Sequence, residues 1–257
     1  MADNRSPSHP YLPSTPPLLE VCVETLTEAI DAANAGAGRL EVCACMSEAG
    51  TTPSIGLVAA ILDRVDVPAF IMIRPRGGDF KFDDYELDVM RRDIEAAKRA
   101  GAHGIVSGVL VTGGAVDREA TKSLVEAADP LPFTFHRAFD LAPELEFAVE
   151  MLQSVGVARI LTSGGASTAM VGADAIARLA RLAGEAMTIV AGGGVRAVHV
   201  AELVRVAGVM EVHARPVRSR ANAQGRDVRF GSTIPSTERS ELDPDAVRAL
   251  VRALSTA

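Results

Sequence analysis

Two arginines and an aspartate follow the end of a short apolar segment. Residues 71–74 alternate with the period of two that is typical of a strand, and Pro75 ends this pattern because it has no N–H to donate. Arg74, Arg76 and Asp79 would therefore crowd one strand exit. Two guanidinium groups there suit a carboxylate or a phosphate. An internal ion-pair network that only caps the strand is the alternative, and both interpretations stay open.

Two cysteines hold matching positions on neighbouring segments with strand periodicity. Cys22 and Cys43 each follow a glutamate by two residues. Adjacent strands lie about 4.8 Å apart, so two thiols at this separation could hold a soft ion such as Cu(I). Met72, on the same face of the next segment, would add a thioether. The alternative is that both cysteines are small buried apolar residues.

A histidine, an arginine and an aspartate end another apolar segment. His136 has an ordinary pKa near neutrality and is the candidate general acid or base, with Arg137 and Asp140 to orient it or to bind a substrate. His213 ends a later segment on the corresponding face and is a candidate partner. A histidine satisfied within a polar network is the alternative role for His136.

Glycine clusters at residues 163–165 and 192–194 follow two later apolar segments. The second cluster is predicted to open a helix, where bare backbone N–H groups bind phosphate. Glycine is also needed for tight turns, so the cluster alone is a weak signal. The candidate anion site comprises Arg74, Arg76, Asp79, Gly192, Gly193, Gly194 and His213.

The elements that must position these residues repeat one unit, a short apolar strand followed by a polar loop and an alanine-rich helix. Strands are predicted at residues 19–23, 39–43, 69–74, 104–108, 132–136, 159–162, 187–191 and 209–213. Helices are predicted at residues 25–34, 53–65, 83–100, 117–128, 143–154, 167–182, 195–206 and 243–257. Eight units predict a single (β/α)8 TIM barrel, with a doubly wound open sheet as the runner-up.

Alternation along the predicted strands separates an apolar face from a polar one. Glu20, Glu41 and Glu211 would share the barrel interior with Arg74. Because buried charges must be paired, the pattern predicts an acidic–basic network across the barrel.

Composition limits the class of protein. The chain has 257 residues and a net charge of −7, which argues against a nucleic-acid partner. No apolar run is long enough for a membrane span, and three cysteines favour a reducing cytoplasm. Residues 1–17 predict a disordered arm before a domain at residues 18–257. Residues 214–242 predict an exposed or mobile loop.

Six stretches together resemble the CutC family, described as copper homeostasis proteins. They are Leu19-Glu-Val-Cys-Val-Glu24, Met72-Ile-Arg-Pro-Arg-Gly-Gly-Asp-Phe80, Glu119-Ala-Thr-Lys122, Thr134-Phe-His-Arg-Ala-Phe-Asp140, Arg159-Ile-Leu-Thr-Ser-Gly-Gly165 and Ala191-Gly-Gly-Gly-Val195. The resemblance implies a cytosolic TIM barrel linked to copper tolerance. It also implies copper(I) ligation by Cys22 and Cys43.

Two classes of function follow from these observations. One is a copper-binding protein that uses Cys22 and Cys43. The other is a TIM-barrel enzyme for a small anionic substrate, phosphorylated or carboxylated, with His136 as general acid or base. The sequence leaves open whether the chain is an enzyme and whether it forms a homo-oligomer.

Overall fold

Eight parallel strands close into a barrel in the computed structural model, which describes residues 16–221 and 238–257. The strands are β1 (Leu18–Val23), β2 (Arg39–Val42), β3 (Ala69–Met72), β4 (Gly104–Ser107), β5 (Phe133–Phe135), β6 (Arg159–Thr162), β7 (Thr188–Gly192) and β8 (Glu211–Ala214). β8 pairs in parallel with β1, which brings Glu20 opposite His213. The predicted TIM barrel is thereby confirmed, and an open sheet is excluded.

A helix follows each barrel strand. The helices are α1 (Leu26–Asn34), α2 (Ile55–Leu62), α3 (Asp84–Ala100), α4 (Arg118–Ala128), α5 (Leu145–Ser154), α6 (Ala173–Ala183), α7 (Val200–Ala207) and α8 (Pro244–Leu254). Several begin at a side chain that accepts a hydrogen bond from a free backbone N–H, as Thr25, Ser54 and Asp83 do. No helix in these ranges is long and apolar enough to cross a membrane.

The strands present two faces to two separate cores, as alternation predicts. Val21, Val42 and Ile71 point outward and pack with apolar helix residues in the layer between barrel and helices. Cys22 and Cys43 point inward and pack with a smaller group inside the barrel. The two cysteines therefore lie within the barrel, while the other face of the strands packs against the helices.

Two predicted elements differ from the observed ones. Residues 214–242 were expected to form an irregular loop, but β9 (Val217–Ala221) and β10 (Glu238–Leu242) pair there as antiparallel strands. The helix expected from residue 195 begins at Val200 instead. The predicted arm at residues 1–17 falls almost wholly outside the described residues, as do residues 222–237.

Candidate functional site

The lower layer of the barrel interior is a network of buried ion pairs. Arg159 Nη2 lies 3.0 Å from Glu20 Oε2 and 2.6 Å from Glu211 Oε2. Arg39 Nη1 lies 3.2 Å and 2.7 Å from the same two carboxylate oxygens. Both guanidinium groups also stack on the Phe70 ring, at 4.8 and 4.9 Å from its centroid. A network of the predicted kind thus exists, but its cations are Arg39 and Arg159 and its carboxylates are Glu20 and Glu211, without Glu41.

Arg74 is not part of this network, which corrects the sequence prediction. Its Nη1 donates to the carbonyl oxygens of Glu48 and Gly50 at 2.5 and 2.7 Å, and its Nη2 donates to Gly78 O at 2.7 Å. It therefore fastens two loops above β2 and β3. Alternation along β2 sets Arg39 on the same face as Glu41 and Cys43, which agrees with its position inside the barrel.

The pKa of Glu20 reflects this pairing. Burial by itself would raise the pKa of its carboxyl, but Arg159, His213 and Arg39 together lower it well below the ordinary range. Glu20 is therefore ionised, and the network holds it as a fixed negative charge below the mouth of the barrel.

Two thiols lie above this ionic layer. Cys22 Sγ and Cys43 Sγ are 3.6 Å apart, and neither residue is exposed to solvent. Both cysteines are free, and Cys43 Sγ donates to Glu41 Oε2 at 3.4 Å. The hydrogen bond with Cys22, burial and Glu41 together raise the pKa of Cys43 well above its ordinary value. Both thiols are therefore protonated near neutral pH until something displaces the protons.

Met46 brings a third sulfur atom to this pair. Its Sδ lies 3.6 Å from Cys22 Sγ. The residue opens a short 3₁₀ turn, Met46–Glu48, between β2 and α2, and its backbone N–H donates to Glu24 Oε1 at 2.7 Å. Sequence analysis missed Met46, since the conformation of that turn decides where its side chain points.

A chain of acidic and basic groups continues from the thiols to the mouth. His213 Nδ1 lies 2.9 Å from Glu20 Oε1, and its Nε2 lies 3.7 Å from Glu41 Oε2. Burial would lower the pKa of His213, but Glu41 and Glu20 raise it above its ordinary value. The other Glu41 oxygen, Oε1, is buried without a hydrogen-bond partner in the described ranges. Cys22, Glu41 and Cys43 form one group that could hold a metal ion, and Glu20, Glu41 and His213 form another.

His136 has the opposite character. Burial and the nearby Arg74 guanidinium lower its pKa to about 3, so the ring is neutral at physiological pH. Its Nδ1 accepts from the backbone N–H of Ala138 at 3.2 Å, which leaves the proton on Nε2. Nε2 is buried and has no partner among the described residues. In this arrangement Nε2 of His136 is suited to donate a hydrogen bond rather than to accept a proton.

Arg137 and Asp140 bind each other and the loop after β6. Arg137 Nε lies 2.8 Å from Asp140 Oδ2, and Arg137 Nη2 donates to Ser163 Oγ at 2.8 Å. Asp140 Oδ1 accepts from the backbone N–H groups of Ser163 and Gly165 at 3.0 Å. Both residues therefore hold neighbouring loops in position, and their predicted roles, to orient His136 or to bind a substrate, stay predictions.

The candidate anion residues do not all converge on one point. Arg76 binds Glu86 at 2.5 Å and Asp79 at 3.0 Å, beside the first turn of α3. Gly193 and Gly194 have positive φ angles and form a turn, so the expected helix N-terminus is absent at this point of the described structure. The anion-binding role of these residues stays a prediction, but the donors of Arg76 already have acceptors within the chain.

A cavity of about 690 Å³ opens at the mouth of the barrel. It gathers many of the predicted site residues and two methionines. Its wall includes Glu41, Met46, Met72, His136, Arg137, Asp140, Gly193, Gly194 and His213. Arg74, Arg76 and Asp79 are outside its lining, and Cys22 and Cys43 lie beneath it.

The fold and the site together define a (β/α)8 barrel with a buried sulfur cluster below an open mouth. A sequence model described as the CutC family matches residues 17–217. The chain therefore belongs to the CutC family.

Relatives of the chain support this membership. A human protein named copper homeostasis protein cutC homolog is 40% identical over 226 residues, which cover 87% of this chain and 83% of that protein. A family protein CutC from Caulobacter vibrioides is 44% identical over 226 residues, which cover 88% of this chain and 86% of the relative. A solved CutC structure from Streptococcus agalactiae superimposes with a TM-score of 0.73 at 32% identity. The superimposed region covers 77% of this chain and 97% of the Streptococcus agalactiae chain.

Proposed function

We propose that this protein binds Cu(I) at Cys22 and Cys43 and contributes to copper tolerance in a reducing cytoplasm. The observation that carries the proposal is the pair of free thiols 3.6 Å apart, buried beneath a cavity that opens to the barrel mouth. Thiolate sulfur is the ligand type that selects Cu(I) over harder ions. The names of the human and mouse relatives, which refer to copper homeostasis, support the same assignment.

The surroundings of the two thiols suit a bound Cu(I) ion. Cu(I) bound by two thiolates carries one net negative charge, and the guanidinium of Arg215 lies near Cys22, with Nη1 3.5 Å from Cys22 O. Two protons leave the thiols for solvent when the ion binds. The pKa of the neighbouring Glu41 carboxyl is raised, mainly by burial, so Glu41 can accept one of these protons on its way to solvent.

The test is competition for Cu(I) against a chelator of known affinity, under anaerobic and reducing conditions. The wild type should retain one Cu(I) ion per chain, and Cys22→Ser with Cys43→Ser should retain none. Cys45→Ser is the matched control, because Cys45 is an exposed free cysteine beyond β2. Equal Cu(I) retention in the wild type and the double variant would overturn the proposal.

A second candidate function is proton transfer on a small anionic carbonyl compound. The Glu20–His213 pair favours it, because the carboxylates beside both ring nitrogens raise the pKa of His213, so that the ring holds a proton at the cavity wall that it can exchange with a bound substrate. Neutral His136 would polarise the carbonyl as a donor. These roles exchange the two histidines relative to the sequence hypothesis, which made His136 the acid or base.

The test is exchange of carbon-bound hydrogen in D₂O, followed by NMR on a panel of phosphorylated and carboxylated ketones and aldehydes. Exchange with the wild type should be lost in His213→Gln. Arg118→Ala is the control, because it changes an exposed ion pair on α4 and Arg118 is not among the residues that line the cavity. Absence of exchange across the panel would remove support for this candidate.

A further inference from the structure

We propose that Met46 is the third ligand of a three-sulfur Cu(I) site and closes the path from the cavity to the thiols. The inference rests on the proposed function, because it assigns a residue to the same site. Its structural basis is the contact of Met46 Sδ with Cys22 Sγ at 3.6 Å, together with the equal separation of the two thiols.

The sulfur separations are compatible with three ligands. A linear ion with metal–sulfur bonds of about 2.3 Å would hold two sulfur atoms about 4.6 Å apart. A trigonal ion with the same bonds would hold them about 4 Å apart. Cys22 Sγ lies 3.6 Å from both Cys43 Sγ and Met46 Sδ, so all three sulfur atoms are near enough to reach one ion after small shifts of their side chains. A trigonal site requires a third ligand, and Met46 offers one that needs no proton removed.

The turn that carries Met46 is held in an unusual conformation. Cys45 before it has φ of 52° and Ala49 after it has φ of 63°, and neither is a glycine. Left-handed backbone at residues with a side chain persists only where the surroundings impose it, and it concentrates at binding sites. Here the hydrogen bond from Met46 N to Glu24 and the pairing of Ala44 with Thr51 impose it. The result is a side chain that folds back over β1 and β2.

Access to the thiols gives Met46 its second role. Cys22 and Cys43 have no solvent exposure, whereas Met46 and Met72 line the cavity above them. An ion that enters from the mouth meets a thioether before it meets a thiol. Methionine has three rotatable bonds, so Met46 can turn aside and return without movement of the strands. A thioether also favours Cu(I) over Zn²⁺, which prefers thiolate, imidazole and carboxylate.

The decisive measurement is copper X-ray absorption on the full chain loaded anaerobically with one equivalent of Cu(I). The wild type should show three sulfur neighbours, and Met46→Leu should show two. We expect Met46→Leu to bind Cu(I) about 10- to 100-fold more weakly against the chelator, the range seen when the surroundings of a metal site are altered. Zn²⁺ affinity should stay within about 2-fold of the wild type. Leucine conserves volume, so the fold should persist, which circular dichroism checks.

Met72→Leu tests the competing thioether, because the sequence predicts Met72 as a ligand and it packs in the same interior cluster and lines the same cavity. Three sulfur neighbours and unchanged affinity in Met46→Leu would overturn the inference while leaving the two-thiol site intact. Loss of the third sulfur in Met72→Leu alone would overturn it as well. A wild type that fails to bind Cu(I), or binding that survives replacement of both cysteines, would instead refute the proposed function.

Discussion

The two histidines at the mouth of the barrel occupy opposite electrostatic environments. His213 lies between two carboxylates, and they raise its pKa although burial lowers it. His136 is buried beside the Arg74 guanidinium and has a pKa of about 3. At neutral pH the cavity therefore combines a histidine that readily holds a second proton with one that stays neutral.

His136 should make the protein less stable in mild acid. Its folded-state pKa is lowered to about 3 from 6.5, so its contribution is fully present above pH 6.5 and is lost as pH falls towards 3. Between pH 6.5 and pH 5 the loss is about 2 kcal/mol, at about 1.4 kcal/mol per pH unit. Urea unfolding of the wild type and His136→Asn at both pH values measures it. An identical acid dependence in the two proteins would contradict the assignment.

Glu20→Gln should be strongly destabilising. The change leaves Arg39 and Arg159 buried with one carboxylate fewer, and breaking a buried pair in this way costs about 3–5 kcal/mol. The free energy of unfolding in denaturant at pH 7 measures the loss. Glu119→Gln is the control, because its pair with Arg118 is exposed and should be worth less than about 1 kcal/mol. Similar losses of unfolding free energy in the two variants would show that the buried ion-pair network does not stabilise the fold.

The loops between strands and helices decide which residues reach the cavity. The loop after β3 turns Arg76 towards α3, where it binds Glu86. The turn after β2 carries Met46 in the other direction, over the thiols. The loop after β3 thus keeps Arg76 out of the cavity wall, whereas the turn after β2 places Met46 in it.

Phosphate or sulfate should stabilise the wild type and Arg76→Ala equally. The donors of Arg76 are engaged by Glu86, Asp79 and Lys81 O, so few remain for an added anion. The variant itself should lose about 1 kcal/mol or less, because these pairs are partly exposed. Thermal unfolding over a series of anion concentrations tests this. A response that disappears in Arg76→Ala would restore Arg76 to the anion site.

Periodicity predicts the elements well and the loops poorly. Alternation assigns Cys22 and Cys43 to the barrel interior, because side chains on a strand must alternate between its two faces. The partners of Arg74 are backbone carbonyls, whose positions depend on loop conformation, so its absence from the ionic network could not be predicted. The position of Met46 depends on left-handed backbone at Cys45 and Ala49, which residue type does not indicate.

At the scale of the molecule, the sulfur cluster joins β1, β2 and the turn that follows β2. A ligand that binds only the folded chain stabilises it in proportion to the logarithm of its concentration. Cu(I) at 100 times its dissociation constant should therefore add about 2.7 kcal/mol. For a chain of this length we expect a rise in Tm of roughly 5–10 °C.

Differential scanning fluorimetry with and without Cu(I) measures this rise under reducing conditions. The rise should be absent when Cys22 and Cys43 are both serine and present in Cys45→Ser. A Cu(I)-induced rise that persists in the double variant would place the stabilising site elsewhere in the chain.

The closure of the barrel also has a consequence for synthesis on the ribosome. β1 needs β8 as its second neighbour, and the Arg39–Glu211 and Arg159–Glu20 contacts join residues 172 and 139 positions apart. Until residues 211–214 have emerged from the ribosome, one edge of β1 has no partner strand and the charge network lacks Glu211. Contacts between residues so far apart in the sequence form late and slowly. We therefore expect the growing polypeptide to be most prone to aggregation in the interval before closure.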